Sequence, residues 1–400
     1  MKILVLNCGS SSIKYKLFDM SKKEVIASGG IEMIGLEGSF LKFLAPDSEK
    51  RIIERDIPEH TVGVELILQT LTDSKYGAIK SLEEINAVGH RMVHGGEKFT
   101  ESALLTPEVL EAFEACNDLA PLHNPANLKG VAAVKAILPN IPQVGVFDTA
   151  FHQTMPDYAY LYALPYEYYE KYQIRRYGFH GTSHRFVSQH VCEMLGIKPE
   201  GTKIITCHIG NGASIAAIKD GKVIDTSMGL TPLEGLIMGT RSGDVDGGVV
   251  TYLQNKLGID AYRMSAILNK RSGMLGLTGI SSDMRSIEEA YNKGDKKAIT
   301  ATNAYIYRIK KYIGAYTAAL GGVDVIVFTG GVGENQASIR SGAVADMDYL
   351  NVKVDDKLNV ETRLGKEGVI STSDSKVKVV VVCTDEELMI AQDTVNILNK

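Results

Sequence analysis

Two short segments of this sequence are dense in side chains that bind or transfer anions. Residues 89–96 read GHRMVHGG, and residues 177–184 read YGFHGTSH. Neither segment has the apolar periodicity of a helix or a strand. Arginine and histidine donate hydrogen bonds to carboxylates and phosphates, and neighbouring glycines let a ligand approach the backbone closely. We therefore expect a catalytic or binding role for both segments, whereas His60, His152 and His190 are expected to be ordinary surface or core residues.

A glycine- and serine-rich segment near the start of the chain could hold a phosphate. Asn7 to Ser12 lies between an apolar run (residues 3–6) and an alternating run (residues 13–18), which both predict strands. Small residues let backbone N–H groups approach phosphate oxygens. The segment is not a Walker A loop, because the string G-x-x-x-x-G-K-[ST] does not occur in the sequence. A Ser/Gly hairpin turn alone is more often structural than functional.

The same pattern recurs half a chain later. KILVLNCGSSSIKYKLFD (residues 2–19) aligns without gaps with KIITCHIGNGASIAAIKD (residues 203–220). Two unrelated hairpins with similar turns remain the alternative, but we favour duplication of one α/β lobe. A third glycine segment, GGVGEN (residues 330–335), follows the apolar run VIVF. It is predicted to be a loop at the carboxyl end of a strand, where open α/β sheets bind ligands.

Length and composition bound the class of protein. A chain of 400 residues predicts two or three domains, and 44% hydrophobic with 23% charged residues is typical of a folded enzyme. A net charge of -5 argues against a nucleic-acid partner. The five cysteines form no C-x-x-C pair and favour reduced thiols in the cytoplasm. The sequence contains no apolar run long enough to predict a membrane span or an export signal.

Alternating strand and helix signals predict an α/β fold with covering helices. Buried strands are expected at QVGVF (143–147) and VKVVVVC (377–383). Thr106 and Asn124, each followed by proline, are expected N-caps, and Thr384 has capping-box spacing to a glutamate. A lobe boundary is expected near residues 148–156, where a strand gives way to polar and proline residues.

Eight strings in chain order closely resemble the acetate kinases of the acetokinase family: LVLNCGSSSIK, GHRMVHGG, APLHNP, GVFDTAFH, YGFHGTSH, HIGNGAS, MGTRSGDVD and FTGGVGEN. The resemblance covers essentially the whole chain. It implies the fold of sugar kinases, Hsp70 and actin, in which two duplicated ribonuclease H-like lobes flank an active-site cleft. It also implies an N-terminal lobe of residues 1–150 plus 386–400 on the acetate and phosphate side. Residues 151–385 would form a C-terminal lobe for nucleotide binding and dimerisation.

The resemblance implies a phosphotransferase with a carboxyl group as acceptor. ATP would pass its γ-phosphoryl group to acetate by in-line attack, reversibly giving acetyl phosphate and ADP, with Mg²⁺ or Mn²⁺ as the cofactor. Acetate is already an anion at pH 7, because a carboxyl titrates near about 4, so no strong base is required. The implied protein is a cytoplasmic homodimer with neither a nucleic-acid nor a membrane partner.

The resemblance also assigns catalytic roles. Arg91 would grip the acetate carboxylate and Arg241 the transferring phosphoryl group, since guanidinium groups offer paired donors to both anions. His180 would donate to phosphoryl oxygens in the transition state, with His123 in the same role. Asp148 matches the catalytic aspartate, for which we favour orienting Arg91 or an imidazole over proton transfer. The alternatives are surface ion pairs for the arginines, a structural histidine at His123 and a turn cap at Asp148.

Further positions follow from the same resemblance. Asn7 and Glu386 would bind magnesium, although an Asx-turn residue and a surface acid are the alternatives. Lys14 would contact the ATP phosphates, while Lys16 shares its strand face by alternation. Other ATP contacts are implied at His208, Ile209, Gly210, Asn211, Gly212, Asp283, Met284, Arg285, Gly331, Val332, Gly333, Glu334 and Asn335. A pocket for the acetate methyl is implied at Val93, Leu122, Phe179 and Pro232, with ordinary core packing as the alternative.

Two other functions remain open at this level. A kinase for propionate or another short acyl acid would differ by one methylene, which changes discrimination by only about 1–3 kcal/mol. A nucleotide-switched binding protein of the Hsp70 or actin type would share the lobes but would not need an acid-binding pocket. The arginine and histidine segments argue against this second alternative.

Overall fold

The computed structural model describes residues 1–46, 48–121 and 123–400. Leu122, predicted to line the acetate pocket, therefore lies outside the described residues. The chain divides into two compact units. Unit 1 comprises Met1–Phe151 and Asp385–Lys400, and unit 2 comprises His152–Thr384. Each unit contains one sheet with helices packed on it, which confirms the predicted α/β class.

Each sheet contains both parallel and antiparallel strand pairs. The strands are β1 (Lys2–Cys8), β2 (Ser12–Asp19), β3 (Glu24–Glu32), β4 (Phe40–Leu44), β5 (Arg51–Glu54), β6 (Ile85–Met92), β7 (Ala103–Leu104), β8 (Gln143–Phe147), β9 (Lys203–Ile209), β10 (Ala213–Lys219), β11 (Lys222–Thr226), β12 (Val325–Thr329), β13 (Gly368–Val369) and β14 (Lys378–Val381). The order is β5-β4-β3-β2-β1-β6-β8-β7 in unit 1 and β11-β10-β9-β12-β14-β13 in unit 2.

The helices connect these strands and cover the sheets. They are α1 (His60–Leu71), α2 (Pro107–Glu114), α3 (Asn124–Ile137), α4 (Asp157–Tyr160), α5 (Glu167–Tyr172), α6 (Gly181–Leu195), α7 (Gly247–Leu257), α8 (Ala261–Lys270), α9 (Gly273–Thr278), α10 (Met284–Asn292), α11 (Lys296–Leu320), α12 (Gly330–Asn335), α13 (Ala337–Val344), α14 (Asp356–Glu361) and α15 (Glu386–Leu398). Within the described ranges, none of these helices has the length and apolarity needed to cross a bilayer.

The two sheets share one arrangement. The series β3-β2-β1-β6-β8 and β11-β10-β9-β12-β14 agree in order and in the direction of every pairing. Each series ends on a short antiparallel strand, β7 or β13. This common topology confirms that the sequence repeat reflects two duplicated lobes rather than two unrelated hairpins.

The repeated hairpins differ by one residue in their turns. Four residues separate the paired Cys8 and Ile13, whereas three separate the paired Ile209 and Ala213. The ungapped alignment is therefore correct for the first strand of each hairpin and one position out of phase for the second. Because side chains alternate across a strand, a shift of one position exchanges the two faces of the sheet.

The central strand β1 is buried on both faces. Ile3 and Val5 pack in a cluster with α15, and Leu4 and Leu6 pack in a second cluster that includes α1 and α3. A strand covered on both sides reads as a continuous apolar run, which explains the ILVL string. The C-terminal helix α15 thus forms one wall of the core of unit 1.

Two of the three predicted helix caps are wrong. Thr106 caps α2 as predicted, since its hydroxyl accepts a hydrogen bond from the Val109 N–H. Asn124 is instead the first residue of α3, and its amide bonds to the backbone of other segments. Asp385 caps α15 in place of Thr384, because the Asp385 carboxylate accepts from the Leu388 N–H.

Candidate active site

The carboxyl ends of β1, β6 and β8 gather three polar side chains in unit 1. Asn7, Arg91 and Asp148 meet because these strands are parallel and adjacent, so their carboxyl ends share one edge of the sheet. Arg91 donates from Nη2 to Asp148 Oδ2 at 2.6 Å and from Nε to the same oxygen at 3.1 Å. It also donates from Nη1 to Asn7 Oδ1 at 3.3 Å.

In the ion pair of Arg91 with Asp148, the carboxylate is buried and the guanidinium is partly exposed. The Asp148 side chain is 1% exposed and that of Arg91 is 26% exposed. The pKa of Arg91 is raised, chiefly by Asp148, so the guanidinium stays protonated and positively charged. These contacts use three of the five guanidinium N–H donors, and two remain for a bound anion. Asp148 therefore holds the guanidinium in one orientation and is not a turn cap alone.

Glu386, the first residue of α15, adds excess negative charge to this cluster. Its pKa is raised to about 7, chiefly by burial and also by Asp148 and the neighbouring acids, against the lowering effect of Arg91. Its carboxylate makes no hydrogen bond or ion pair to any other described residue. A buried carboxylate that lies among other acids is suited to binding a cation. The amide oxygen of Asn7 is a second hard oxygen ligand nearby.

This donor set fits an ion that takes most of its ligands from water and substrate. No group of three or more His, Cys, Asp or Glu residues suited to a metal occurs in the part of the chain that the structure describes. One carboxylate and one amide suit a divalent cation that travels with a phosphate chain. Asn7 and Glu386 of unit 1 therefore fit this role.

The two lysines on β2 have different surroundings. Lys16 pairs with Asp385 Oδ1 at 3.1 Å and with Glu387 Oε2 at 3.2 Å, which ties β2 to the start of α15. Lys14 is exposed and sits opposite Asn7 in the β1–β2 ladder. Lys16 is therefore occupied by a structural contact, while Lys14 is accessible to a ligand.

Two asparagines of α3 position the segment that follows β6. Asn127 Oδ1 accepts from the Val93 N–H at 3.0 Å, and Asn124 Oδ1 accepts from the His94 N–H at 3.1 Å. Asn127 also donates to the Cys8 carbonyl at 2.9 Å. Both asparagines are buried, and their spacing of three residues on an apolar helix is a signal that our sequence analysis missed. Val93, whose N–H group is held by Asn127, is buried. His123, the predicted hydrogen-bond donor, is exposed and lies directly before α3.

His60 contacts the turn between β1 and β2. It was expected to be an ordinary surface or core residue. Its Nε2 lies 2.8 Å from the carbonyl oxygen of Gly9, in the glycine- and serine-rich turn between β1 and β2. The first residue of α1 therefore supports this turn, a contact between residues 51 positions apart that no local pattern reveals.

In unit 2, His180 and His208 form a stacked pair. Their ring centroids are 4.3 Å apart at an interplanar angle of 24°. His180 precedes α6 with φ of 58°, a left-handed conformation that is uncommon for residues other than glycine. Strained backbone of this kind clusters at functional sites. The strain thus supports the functional interpretation of the YGFHGTSH segment.

Hydroxyl groups and a third histidine surround this pair. Ser214 Oγ lies 2.9 Å from His180 Nδ1 and 2.8 Å from His184 Nε2. Ser183 Oγ lies 2.8 Å from His208 Nδ1 and 2.8 Å from Thr384 Oγ1. His184 and Ser214 were present in two of the recognised strings, but periodicity alone did not reveal their contact.

Arg241 is directed towards the same region of unit 2. Its Nη1 donates to the Pro232 carbonyl at 2.6 Å, and burial lowers its pKa. A Cβ atom on Gly212 would lie 2.5 Å from Arg241 Nη2 and 3.4 Å from His180 Nε2. A side chain at Gly212 would therefore displace the Arg241 guanidinium from the place where these two donors converge on the turn after β9. Phe179, beside His180, is buried.

The backbone of this turn is braced by the MGTRSG segment. The Gly239 N–H donates to the Asn211 carbonyl at 2.9 Å. A side chain at Gly239 would collide with the Asn211 amide. Ile209 is fully buried at the end of β9, while Asn211 is exposed. His208 to Gly212 thus present backbone groups at the carboxyl end of a central strand.

The third glycine segment is a short helix and not the predicted loop. Gly330 to Asn335 form α12 directly after β12, so its place at a strand's carboxyl end is as predicted. Gly330 has φ of +78°, and a Cβ there would lie 2.8 Å from the Ile209 carbonyl oxygen. Glu334 accepts from the Gly330 N–H at 2.9 Å and closes the turn. Gly331, Val332 and Gly333 lie within this helix.

The segment from Asp283 to Arg285 is an exposed helix start. Asp283 caps α10 by accepting from the Arg285 N–H, and the Arg285 side chain pairs with the same carboxylate at 2.6 Å. These bonds from Arg285 lower the pKa of Asp283 to about 2. Met284 is buried, whereas 86% of the Arg285 side chain is exposed. The local ion pair leaves Arg285 accessible to a ligand.

Two duplicated α/β units, with Arg91 near the carboxyl end of β6 and His208 near that of β9, are typical of a phosphotransferase of the kinase class. The acetokinase family matches residues 2–392, and the chain belongs to this family. The resemblance found in the sequence is thereby confirmed.

Individual relatives agree over their whole lengths. The chain is 70% identical over 400 residues to the acetate kinase of Bacteroides thetaiotaomicron, with all of both chains covered. It is similar to the crystal structure of Porphyromonas gingivalis acetate kinase, at 61% identity, a TM-score of 0.96 and 99% coverage of each chain. A propionate kinase from Francisella tularensis is also similar, at 42% identity, a TM-score of 0.92 and 99% coverage of each chain.

Proposed function

We propose that this protein transfers the γ-phosphoryl group of ATP to acetate, reversibly giving acetyl phosphate and ADP. The contact of Arg91 with the buried Asp148 and with Asn7 carries this proposal. It presents a fixed guanidinium with two remaining donors, which suits a small carboxylate. Full-length relatives that are named acetate kinase support the same assignment.

The acceptor needs orientation rather than deprotonation. Acetate is ionised at neutral pH, so the barrier comes from bringing an anion towards a multiply charged phosphate. Arg91 binds and neutralises the carboxylate, and Asp148 keeps the guanidinium in place. Val93 contributes a small apolar surface next to Arg91 in the sequence.

Donors in unit 2 act on the transferring group. Arg241 and His180 flank Gly212 and stabilise the charge that develops on the equatorial phosphoryl oxygens. His123 is assigned to the same task from unit 1. None of these groups needs to move a proton, because the nucleophile is already an anion.

The nucleotide is assigned to the glycine-containing segments and to Lys14. His208 to Gly212 and α12 offer backbone N–H groups at strand ends, and Asp283 to Arg285 offer an accessible guanidinium. We assign Mg²⁺, or Mn²⁺ in its place, to Asn7 and Glu386. The ion supplies charge neutralisation of the phosphate chain when it is bound.

The acyl substrate is tested by comparing kcat/KM for acetate, propionate and butyrate with ATP and hydroxylamine, which traps acyl phosphates as hydroxamates. We expect acetate to be preferred, because the relatives at 61–70% identity are named acetate kinase and the propionate kinase is 42% identical. A clear preference for propionate would replace the substrate assignment.

The same assay separates a kinase from a nucleotide-switched binding protein. A kinase forms hydroxamate only when the acid, ATP and the divalent cation are all present. ATP hydrolysis without any hydroxamate would favour the Hsp70-like or actin-like alternative. The match to the acetokinase family supports the kinase.

We also assign a cytoplasmic homodimer formed through unit 2. Helix α7 has no buried residue, although Val249, Tyr252 and Leu257 are large apolar side chains and are all exposed. The adjacent α8 exposes Tyr262 to 82%. Large apolar side chains that are exposed together on two neighbouring helices are typical of a subunit interface. All five cysteines are free, which suits a reducing compartment.

A further inference from the structure

A chain of hydrogen-bonded side chains in unit 2 ends on the ring of His180. Thr206 Oγ1, on β9, lies 2.7 Å from Nδ1 of His184, in the first turn of α6. His184 Nε2 lies 2.8 Å from Oγ of Ser214, on β10. The same Oγ lies 2.9 Å from His180 Nδ1. Thr206, His184 and Ser214 are fully buried, so each hydroxyl proton needs an acceptor within the chain of contacts.

The hydrogen bond of Thr206 determines the direction in which protons are donated along this series of side chains. Among the described residues, the Thr206 hydroxyl has one hydrogen-bond partner, His184 Nδ1. If Thr206 accepted a proton from His184, its own buried proton would have no acceptor, which costs free energy. Thr206 therefore donates to Nδ1. Burial lowers the pKa of His184 well below its ordinary value and keeps the ring neutral, so the single ring proton lies on Nε2.

The next two hydrogen bonds, at Ser214 and at His180, must then be donated in the same direction. His184 Nε2–H donates to Ser214 Oγ, and the one hydroxyl proton of Ser214 points to His180 Nδ1. We propose that Thr206, His184 and Ser214 are positioning residues that hold His180 as the neutral tautomer with its proton on Nε2. The inference rests on the proposed function only in taking the acceptor of that proton to be a phosphoryl oxygen.

The surroundings of His180 favour this tautomer. Nε2 faces Gly212, beside the guanidinium of Arg241, so its proton points towards the place where an anion would be bound. The guanidinium of Arg241 also lies beside Gly212, and its positive charge disfavours a second positive charge on the neighbouring imidazole ring. An imidazolium would also donate from Nδ1 to Ser214 and leave the serine proton without an acceptor. A neutral, pre-oriented donor needs no reorganisation during phosphoryl transfer.

The tautomer can be measured without any catalytic assay. We expect the ¹⁵N spectrum of histidine-labelled full-length protein at pH 7 to show Nδ1 unprotonated and Nε2 protonated for His180 and His184. Loss of signals in His180→Gln and His184→Gln variants assigns the resonances. A proton on Nδ1 of His180, alone or together with one on Nε2, would overturn the inference. If the wild type lacked acetate-dependent activity, this measurement would still decide the inference while the proposed function failed.

Two substitutions at Thr206 separate positioning from packing. Thr206→Val keeps the shape and loses the hydroxyl, whereas Thr206→Ser keeps the hydroxyl and loses a methyl group. We expect the valine variant to lose kcat by about 10-fold or more, with KM for ATP and acetate changed less than about twofold, and the serine variant to retain most of kcat. A purely structural role predicts the reverse order.

A substitution at Ser214 completes the test. Ser214→Ala removes the hydroxyl that contacts His180, and we expect a larger loss of kcat than in Thr206→Val together with a mixture of His180 tautomers in the ¹⁵N spectrum. If the valine variant fails to fold, the alanine variant supplies the comparison. An unchanged kcat in Ser214→Ala, or equal losses in the two threonine variants, would overturn the inference.

Discussion

At the scale of single residues, the contact between Arg91 and Asp148 defines the acceptor chemistry. A buried carboxylate that binds a guanidinium through two of its nitrogens restricts the guanidinium to one plane and one direction. The same contact could be read as a proton-transfer site, but a carboxylate nucleophile has no proton to lose at neutral pH. Orientation is therefore the role that the chemistry of the reaction requires.

Asp148→Asn should separate the two roles. We expect kcat to fall by about 10²–10³-fold and KM for acetate to rise, because Arg91 loses its charged anchor. The loss should be the same from about pH 8 to about pH 9.5, above the range in which Glu386 titrates, in steady-state hydroxamate assays. Glu387→Gln is a control, since that carboxylate contacts Lys16 instead. A loss that disappears at one end of the pH range would restore proton transfer as the role.

Arg241→Ala should impair chemistry and spare nucleotide binding. The guanidinium is assigned to charge that develops in the transition state, so kcat should fall by about 10³-fold or more while Kd for ATP by calorimetry changes little. The vacated volume is suited to free guanidinium, which should restore part of kcat. Loss of ATP binding in this variant would contradict the assigned role.

At the scale of elements, α15 completes unit 1 by two contacts of different kinds. Ile390 packs against Ile3 and Val5 in the core, and Lys16 pairs with acids at the start of the helix. Apolar burial is the stronger of the two, because partly exposed ion pairs are screened by water.

Two substitutions measure this difference. Ile390→Ala should cost about 2–5 kcal/mol in the free energy of unfolding, whereas Lys16→Met should cost at most about 1 kcal/mol. Urea unfolding monitored by circular dichroism provides the comparison, with changes in midpoint read at a constant slope. A larger effect at Lys16 than at Ile390 would mean that charge, and not burial, holds the helix in place.

At the scale of the whole molecule, acid stability depends on buried histidines. His90 is buried on β6, and burial lowers its pKa from 6.5 to about 4, although its bond to Gln143 at 2.7 Å opposes the shift. Between these pH values the unfolded chain binds a proton that the folded chain does not bind. Stability is therefore lost as the pH falls from about 6.5 to about 4.

The contribution of His90 is measurable as a slope. The wild type should lose up to about 3 kcal/mol through this residue over that pH window, and His90→Gln should show a shallower dependence of unfolding free energy on pH. Comparing slopes rather than absolute stabilities removes the packing effect of the substitution. Parallel curves for the two proteins would show that His90 does not contribute.

The oligomeric state is a second property at this scale. Tyr252→Glu, on α7, should convert the proposed homodimer to a monomer, because it places a charge on the exposed apolar face. Leu36→Asp is the control, since Leu36 is similarly exposed on unit 1. Sedimentation velocity gives the mass of each variant. Equal masses for the Tyr252→Glu variant and the wild type would exclude α7 from the interface.

Much of this protein follows from its sequence because the signals are local. The ILVL and VIVF runs predict buried strands, Thr106 with Pro107 predicts a helix start, and the repeat predicts duplicated lobes. Each depends on a few neighbouring residues, whose periodicity and backbone preferences are properties of the chain itself. The motif strings and the kinase family were accessible for the same reason.

Contacts between distant residues were decided by the tertiary structure. Asn124 bonds to the segment after β6 instead of capping α3, and Lys16 rather than Lys14 reaches the acids of α15. The hairpin registers differ because one turn is a residue shorter. Whether a polar side chain caps its own helix or bonds elsewhere depends on which groups folding brings within hydrogen-bond distance, and spacing along the chain does not specify that.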